Sequence, residues 1–476
     1  MKKLSELYNV KNDTLIKGIK INSKEVEPGD LFVCTMGVNA DRHDFIDEAI
    51  KNGAAACIVS KDIKNKSVPI IKVENTNQEL QNVCAKFYDY PYQKVKMIGV
   101  TGTNGKTTVA EIIYQFLQQD NCAYIGTNGK KYKTLKESIR NTTPDVDRLY
   151  KYFDEFIKLG CKTICMEASS EAFYRHRLDQ IQYDIAILTN ITQDHLNIHK
   201  TLENYIDCKC QLFRQVKETG YNILNSQDKH YELVKANAKG KVLTYGFQES
   251  DDLYIKSYQE YANKTELTLI YQQKAYQMTS TLVGSFNVLN IAAATLAALA
   301  YGKTMEEIIQ KAANLQQVEG RMEVLPFTND YTIMLDYAHT PDALEKTLDY
   351  LNKVKKGKII TVTGSAGGRE KEKRPAMGKI VLEKSDYVIF TMDDPREESV
   401  DQIIDDLLKD SKKTNYERII DRKQAIAKAL TVAKKNDIVL IAGKGRDNYM
   451  ALGKEYVPYC DYDVIEDYFK NHLKGE

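Results

Sequence analysis

Long apolar runs are scarce in this 476-residue chain. None approaches the roughly 20 residues needed to cross a bilayer, which excludes a spanning helix. The longest candidate, the alanine-rich stretch 290–300, reads as a buried helix. The first eight residues lack the apolar segment and small-residue cleavage site of a secretory leader, so the chain is expected to stay in the cytosol. Neither sign of charge prevails, with 67 basic against 66 acidic side chains, which argues against a nucleic-acid or anionic-membrane surface. A disulfide framework is also missing: nine cysteines, an odd number without regular spacing, suit a reducing compartment. Cys208 and Cys210 are the only close pair, and a one-residue gap is not a zinc spacing, so both are expected to pack in a buried helix. There is no internal repeat and no low-complexity tract.

What is present is an ordinary globular composition, 43% hydrophobic and 28% charged, on a chain too long for one core. Strand-like runs alternate with helical ones in three blocks, which predicts the α/β class. We divide the chain at 1–95, 96–319 and 320–476. In the first block, Pro28-Gly29-Asp30 turns into a strand at 31–33, a helix at 45–52 is capped by Gly53, and a strand follows at 56–59. The second opens with a strand at 95–100 and a helix at 107–118, continues with strands at 163–166 and 185–190, and closes on a helix at 290–301. The third carries strands at 332–335, 359–363, 387–390 and 438–441. The last three run into glycine, proline or charged residues, as at the ligand-binding carboxyl ends of a parallel sheet.

Between the strand at 95–100 and the helix after it lies Thr101-Gly102-Thr103-Asn104-Gly105-Lys106-Thr107-Thr108. This is the setting of a phosphate-binding loop. Gly102 and Gly105 let the amides of Thr103, Asn104 and their neighbours turn toward phosphate oxygens. Lys106 brings a charge to the terminal phosphoryls, Thr107 offers an oxygen to Mg²⁺, and the helix beginning near Thr108 adds its dipole. The general pattern Gly-x4-Gly-Lys-Ser/Thr wants glycine at position 100, where this chain has Val100.

The variant Gly-Thr-Asn-Gly-Lys-Thr resembles the phosphate loop of the Mur ligases, a family that also includes folylpolyglutamate synthase. Further motifs occur in the family's order. Asn22-Ser23-Lys24, Pro28-Gly29-Asp30-Leu31-Phe32 and Asp41-Arg42-His43-Asp44-Phe45 resemble the uridine-binding first domain of the type that adds the third peptide residue. Thr142-Thr143-Pro144, Met166-Glu167-Ala168-Ser169-Ser170, Asn190 to Leu196, and Glu203-Asn204-Tyr205 with Lys209 resemble its central domain. Gly284-Ser285-Phe286-Asn287, Gly320-Arg321-Met322-Glu323, Asp336 to Asp342 and Lys373-Arg374-Pro375 complete the series.

The resemblance implies a three-domain architecture, with a P-loop central ATPase domain and a Rossmann-like C-terminal domain. It implies Glu167 and His195 as Mg²⁺ ligands beside Thr107, and Lys209 as a lysine that takes up CO₂, its carbamate supporting a second Mg²⁺. Ser23, Asn141, Thr142, Thr143, Ser169 and Arg177 would hold the UDP-muramoyl-dipeptide, Arg177 through a carboxylate. Asn287, Arg321, Asp336 and His339 would serve ATP, although Asp336 also reads as a loop cap. The chain has Glu171 after the paired serines and Arg175 two positions before Arg177, where relatives often have histidine and glutamine.

The implied reaction spends ATP on an acyl-phosphate and joins an amino acid to UDP-N-acetylmuramoyl-L-alanyl-D-glutamate in peptidoglycan precursor synthesis. Lys106, Lys209, Glu167, His195 and Asp336 would carry it, and a monomer is expected. Arg369, Asp393, Asp394, Arg396, Gly443 and Asp447 are expected to form the amino-acid pocket. Enzymes that add meso-diaminopimelate usually have asparagine at the position of Asp394 and His-Glu at the positions of Arg446-Asp447. The extra carboxylates suit a lone terminal ammonium, which favours L-lysine; Arg396 suits a distal carboxylate, or pairs with those aspartates, and leaves meso-diaminopimelate as the alternative. The other readings are a folylpolyglutamate synthase and a non-catalytic nucleotide-binding paralogue.

Overall fold

The computed structural model describes residues 1–37, 40–139, 141–261 and 263–472. Residues 473–476, the end of the third block, lie outside the described residues. Three sheets of four or more strands follow one another along the chain, beside two two-stranded ribbons. The first is fully parallel and takes its four strands in chain order: Gly18–Lys20, Asp30–Val33, Ala56–Val59 and Ile70–Lys72. The two middle strands are buried along their whole length, as expected where both faces of a parallel sheet are covered. The expected helix occupies Ile46–Lys51, and Gly53 follows with φ +107°, a turn that glycine takes without strain.

The second sheet has eleven strands. Its parallel centre runs Cys122–Gly126, Thr163–Glu167, Lys96–Thr101, Tyr183–Leu188, Val216–Asn225 and Lys241–Gly246 in spatial order. Leu253–Glu260 joins one edge in parallel and is followed by the antiparallel Thr265–Tyr271 and Lys274–Ser280, while Gly129–Tyr132 with Leu135–Glu137 extends the other edge in antiparallel fashion. The alanine-rich segment is the buried helix Ser285–Tyr301, packed against the helix Lys106–Leu117. Small side chains allow that close approach. Cys208 and Cys210 are buried in the helix Leu202–Arg214, so the packing expectation holds.

The third sheet runs Glu323–Leu325, Thr332–Asp336, Ile438–Ala442, Ile359–Thr363, Tyr387–Phe390 and Tyr416–Arg418, antiparallel only at the first pair. The strand of this sheet that comes last in the chain, Ile438–Ala442, lies between two earlier ones, which gives the Rossmann-like crossover. Among the described residues no helix is long and apolar enough to cross a membrane.

One apolar core runs from Leu4 in the first unit to Val234 in the second, and Arg148 pairs with Glu25 at 2.6 Å across the same junction. The second and third units meet through fewer and more polar contacts. Asn104 donates to Asp342 at 3.0 Å, the amide of Leu196 donates to Glu370, and Lys353 faces Glu260 at 3.4 Å. The carboxyl ends of both large sheets therefore open on one cleft, where α/β sheets bind ligands.

Candidate active site

The phosphate loop leaves the strand Lys96–Thr101 and enters the helix Lys106–Leu117. Val100 is the penultimate strand residue and is wholly buried, so the turn starts at Gly102 and needs no glycine at position 100. Gly102 and Gly105 have φ of +148° and +87°. A Cβ on Gly102 would collide with Thr189 Oγ1, and one on Gly105 would lie 2.6 Å from Asn290 Oδ1. Both positions are fixed by close approach as well as by φ. Lys106 curls back, its ammonium donating to the carbonyls of Gly102 and Thr103 at 3.0 Å each, and burial lowers its pKa. Thr103 shares a 2.9 Å hydrogen bond with Tyr205, while Thr108 is buried in the first helical turn.

Glu167 ends the neighbouring strand and is fully buried. Its carboxylate accepts hydrogen bonds from Thr107 Oγ1 at 3.0 Å, Tyr124 Oη at 2.8 Å and the Thr127 amide at 2.8 Å. Arg321, arriving from the third unit, donates to Thr107 Oγ1 at 3.0 Å and lies over the Tyr337 ring. A cation thus already stands against the threonine oxygen that bonds to Glu167. That oxygen pair suits Mg²⁺, which takes one or two protein oxygens and completes its shell with phosphate and water. Among the described residues no three His, Cys, Asp or Glu side chains form a closed metal cage.

On the opposite wall His195 is in the left-handed region, φ 55°, with Nε2 at 3.5 Å from Asp194. The Asp194 carboxyl is buried, which alone would raise its pKa, yet His195, His339 and Lys373 hold it down at about 2. His339 bonds through Nδ1 to the Tyr337 carbonyl at 2.8 Å, and burial pushes it to about 4, so it is neutral with the proton on Nδ1. Lys209 is buried, with its Nζ 2.7 Å from the Gly102 carbonyl and over the Tyr205 ring. Burial and the neighbouring Lys106 carry its pKa well below the usual lysine value. As a free amine it cannot be an anionic ligand.

Asp336 acts as a loop cap, as one of the two readings had it: its carboxylate accepts the amides of Met322 at 2.7 Å and Ala338 at 2.8 Å. Asn287 donates to the Val283 carbonyl at 2.7 Å and accepts from Asn290 at 2.9 Å. Asn290 and Thr189 belong to no motif, and Tyr205, which closes the Glu203-Asn204-Tyr205 motif, has no role assigned by it; packing against the loop marks all three.

Thr143 donates to the Glu167 carbonyl at 2.8 Å and lies 3.1 Å from Ser169, whose hydroxyl caps the following short helix. Thr142 lies 3.0 Å from Thr127, and Asn141 precedes it in the same half-exposed turn. Arg177 donates to the Thr143 carbonyl at 3.0 Å and pairs with Asp145 at 2.8 Å. Glu171 and Arg175 pair with each other at 2.7 Å. Ser23 stands apart on the first unit, its hydroxyl given to Glu48.

A cavity of about 150 Å³ separates Asp194, His195 and His339 from Arg369, Arg396 and Asp447. Asp393 and Asp394 are nearly buried on its floor. Asp394 and Arg396 have φ of 45° and 53°, strained values for residues other than glycine, clustered where function is expected. Lys444, also buried, binds Asp394 at 2.8 Å, and the Ala451 amide donates to the same oxygen. Oδ1 of Asp394 is therefore taken up by the protein, while the residue still lines the cavity. Arg396 pairs with neither aspartate side chain; it donates to the carbonyls of Gly367 at 2.8 Å and Asp394 at 3.3 Å. Arg446 points away, forming a 2.5 Å pair with Glu323. Asp447 is pushed up to about 7, first by burial and then by Asp394 and Asp393, against the pull of Lys444 and Arg321.

Three family descriptions match in succession: "Mur ligase family, catalytic domain" at residues 15–93, "Mur ligase middle domain" at 100–298 and "Mur ligase, glutamate ligase domain" at 320–445. A relative from Bacillus cereus is 37% identical over 474 residues, covering 98% of this chain and 96% of its own length. The chain belongs to the Mur ligase family. That Bacillus protein is named UDP-N-acetylmuramoyl-L-alanyl-D-glutamate–2,6-diaminopimelate ligase, and so is one from Oceanobacillus iheyensis, 36% identical with both chains fully covered. Among solved structures, a 2,6-diaminopimelate ligase of the same name superposes with a TM-score of 0.67 at 28% identity, covering 99% of this chain and 100% of that one. A Mur ligase from Thermotoga maritima in complex with ADP superposes at 0.69, with 24% identity and 98% and 99% coverage, and shows the shared fold.

Proposed function

We propose that this Mur ligase spends ATP to join an amino acid to UDP-N-acetylmuramoyl-L-alanyl-D-glutamate, giving the UDP-muramoyl-tripeptide. The carrying observation is one cleft with two chemistries: a phosphate loop with Glu167 and Arg321 on one side, and a pocket of carboxylates and arginines on the other. The expected divisions at 1–95, 96–319 and 320–476 then separate uridine, nucleotide and amino-acid binding.

An amide does not form from a carboxylate and an amine in water without activation, and phosphorylation by ATP makes the acyl carbon electrophilic. Lys106 and Arg321 are placed to take the charge of the transferring phosphoryl group once Lys106 exchanges its loop carbonyls for phosphate oxygens. Thr107, Glu167 and His195 are the residues that would hold Mg²⁺, which when bound would offset charge on the phosphate oxygens. Burial and Lys106 shift Lys209 toward the neutral amine, the form that adds to CO₂ with loss of a proton; the resulting carbamate would turn a repelling cation into an anionic ligand. The cleft lies between two units, so their approach brings amine and acyl carbon together and excludes water.

For the incoming amine, we read the pocket as fitting meso-diaminopimelate. Asp393 and Asp447 supply carboxyl oxygens for an ammonium, whose charge would favour their ionised forms, and Arg369 and Arg396 supply donors for carboxylates. L-lysine would satisfy the first wall and leave Arg396 without an anion. The expectation of L-lysine leaned on the extra carboxylates of Asp394 and Asp447, and Oδ1 of Asp394 is already bound by Lys444. The names of the Bacillus and Oceanobacillus relatives support the same reading. Mass spectrometry of the product tests it: the acceptor should gain one diaminopimelate less one water, and only in the presence of ATP. A folded, ATP-binding protein that yields no adduct with any diamino acid would overturn it.

A further inference from the structure

The largest fully buried side chains include two arginines, Arg374 and Arg422, and both lie behind the proposed amino-acid pocket. Burying a guanidinium is costly unless every donor is used, so its partners reveal what it holds. Arg374 donates to the carbonyl of Ala366, which lines the cavity, and to Glu398 and Asp406. Arg422 does something more specific. Its Nε and Nη2 form a fork onto Asp461 at 2.8 Å each, with both side chains wholly inaccessible. The remaining hydrogen bonds go to two main-chain carbonyls, Ala442 at 2.9 Å and Met392 at 3.3 Å. Those carbonyls immediately precede Gly443 and Asp393, the first pocket residues of two separate loops.

The two loops touch, for a Cβ on Gly443 would collide with the Asp393 carboxylate. Their separation is therefore a sensitive dimension of the pocket, and the Arg422 guanidinium is a rigid crosspiece between their roots. Asp461, at the start of the helix Asp461–His472, is itself fixed by the Tyr459 hydroxyl at 2.8 Å. The geometry points to Arg422, oriented by Asp461, as a positioning residue that sets the spacing of the Asp393 and Gly443 loops and thereby the affinity and selectivity for the amine. This inference rests on the pocket assignment proposed above. Arg422 touches no substrate in this reading; it acts through backbone.

The test uses the full-length protein with Arg422→Lys, which keeps the charge and loses the fork, and Asp461→Asn, which keeps the shape and loses the orienting charge. Steady-state kinetics should show the amine KM raised about tenfold or more in Arg422→Lys and about threefold in Asp461→Asn, since small misplacements near reacting groups are costly. The KM values for ATP and acceptor should stay within about twofold, and preference between meso-diaminopimelate and L-lysine should narrow. Hydrogen exchange should quicken in peptides covering 391–396 and 442–447 together while the phosphate loop is unchanged. Equal changes in all three KM values, or exchange raised throughout the third unit, would reduce Arg422 to a stabilising residue and overturn the proposal. If Arg422→Lys does not fold, Asp461→Asn decides on the same readouts. A wild-type protein inactive with every amine would defeat the pocket assignment instead, and the exchange pattern would still test the crosspiece.

Discussion

Replacing Asp447 by asparagine should stabilise the protein while weakening amine binding, and the stabilisation should depend on pH. The Asp447 carboxyl rises from 3.8 to about 7 because burial, Asp394 and Asp393 all oppose its charge. Its folded-state pKa is higher than its unfolded one, so it costs nothing in the most acidic range, costs progressively more as pH rises from about 4, and costs the full amount above about 7. At about 1.4 kcal/mol per pH unit the ceiling is roughly 4 kcal/mol. The side chain keeps 18% exposure, and asparagine gives up the 3.6 Å approach to Lys444, so we expect about 1–2 kcal/mol at pH 8. For a unit of this size that is about 2–8 °C in Tm. Thermal melts of Asp447→Asn and wild type should be compared from pH 4.5 to 8.5. The difference should grow up to about pH 7.5 and then level off. Amine KM should meanwhile rise about tenfold, the usual order for losing a charge-assisted hydrogen bond. A difference in Tm that does not vary with pH, or a variant less stable at pH 8, would refute the reasoning.

Other perturbations separate the remaining assignments. Lys209→Ala should lower turnover by about 10²–10³-fold, as expected for a group that stabilises phosphoryl charge, and ¹³C-bicarbonate should give a carbamate signal in wild type that this variant lacks. Arg396→Ala should raise the meso-diaminopimelate KM about ten- to a hundredfold and leave the weaker use of L-lysine nearly unchanged. A thiol reagent should modify one cysteine quickly in the folded protein, since only Cys460 of the nine is not buried, and all nine after denaturation.

Much of the fold could be read from the chain because parallel strands buried on both faces leave continuous apolar runs, such as 387–390 and 438–441. The edge strands were less legible. Leu253–Glu260, Thr265–Tyr271 and Lys274–Ser280 are half-exposed and mix polar with apolar residues, so nothing in 253–280 stood out against the surrounding loops. The strand expected at 185–190 is Tyr183–Leu188, displaced because Thr189 and Asn190 belong to the wall of the phosphate loop. In the site, the phosphate loop and Glu167 were visible as motifs. What sequence could not give is which charges neutralise one another: Asp394 looks like Asp393 and Asp447 in one dimension, and the 2.8 Å bond from Lys444, against 3.6 Å to Asp447, sets it apart. Arg422 likewise carries no motif, since its role depends on carbonyls 30 and 20 residues away.

The most direct measurement is ADP release by the purified protein with Mg-ATP and UDP-N-acetylmuramoyl-L-alanyl-D-glutamate, with meso-diaminopimelate or L-lysine as the added amine. Steady turnover dependent on the acceptor, and faster with meso-diaminopimelate, is the predicted result. Turnover with L-lysine alone would keep the ligase and contradict the pocket assignment, and no turnover with either amine in a folded, ATP-binding protein would contradict the proposed reaction itself.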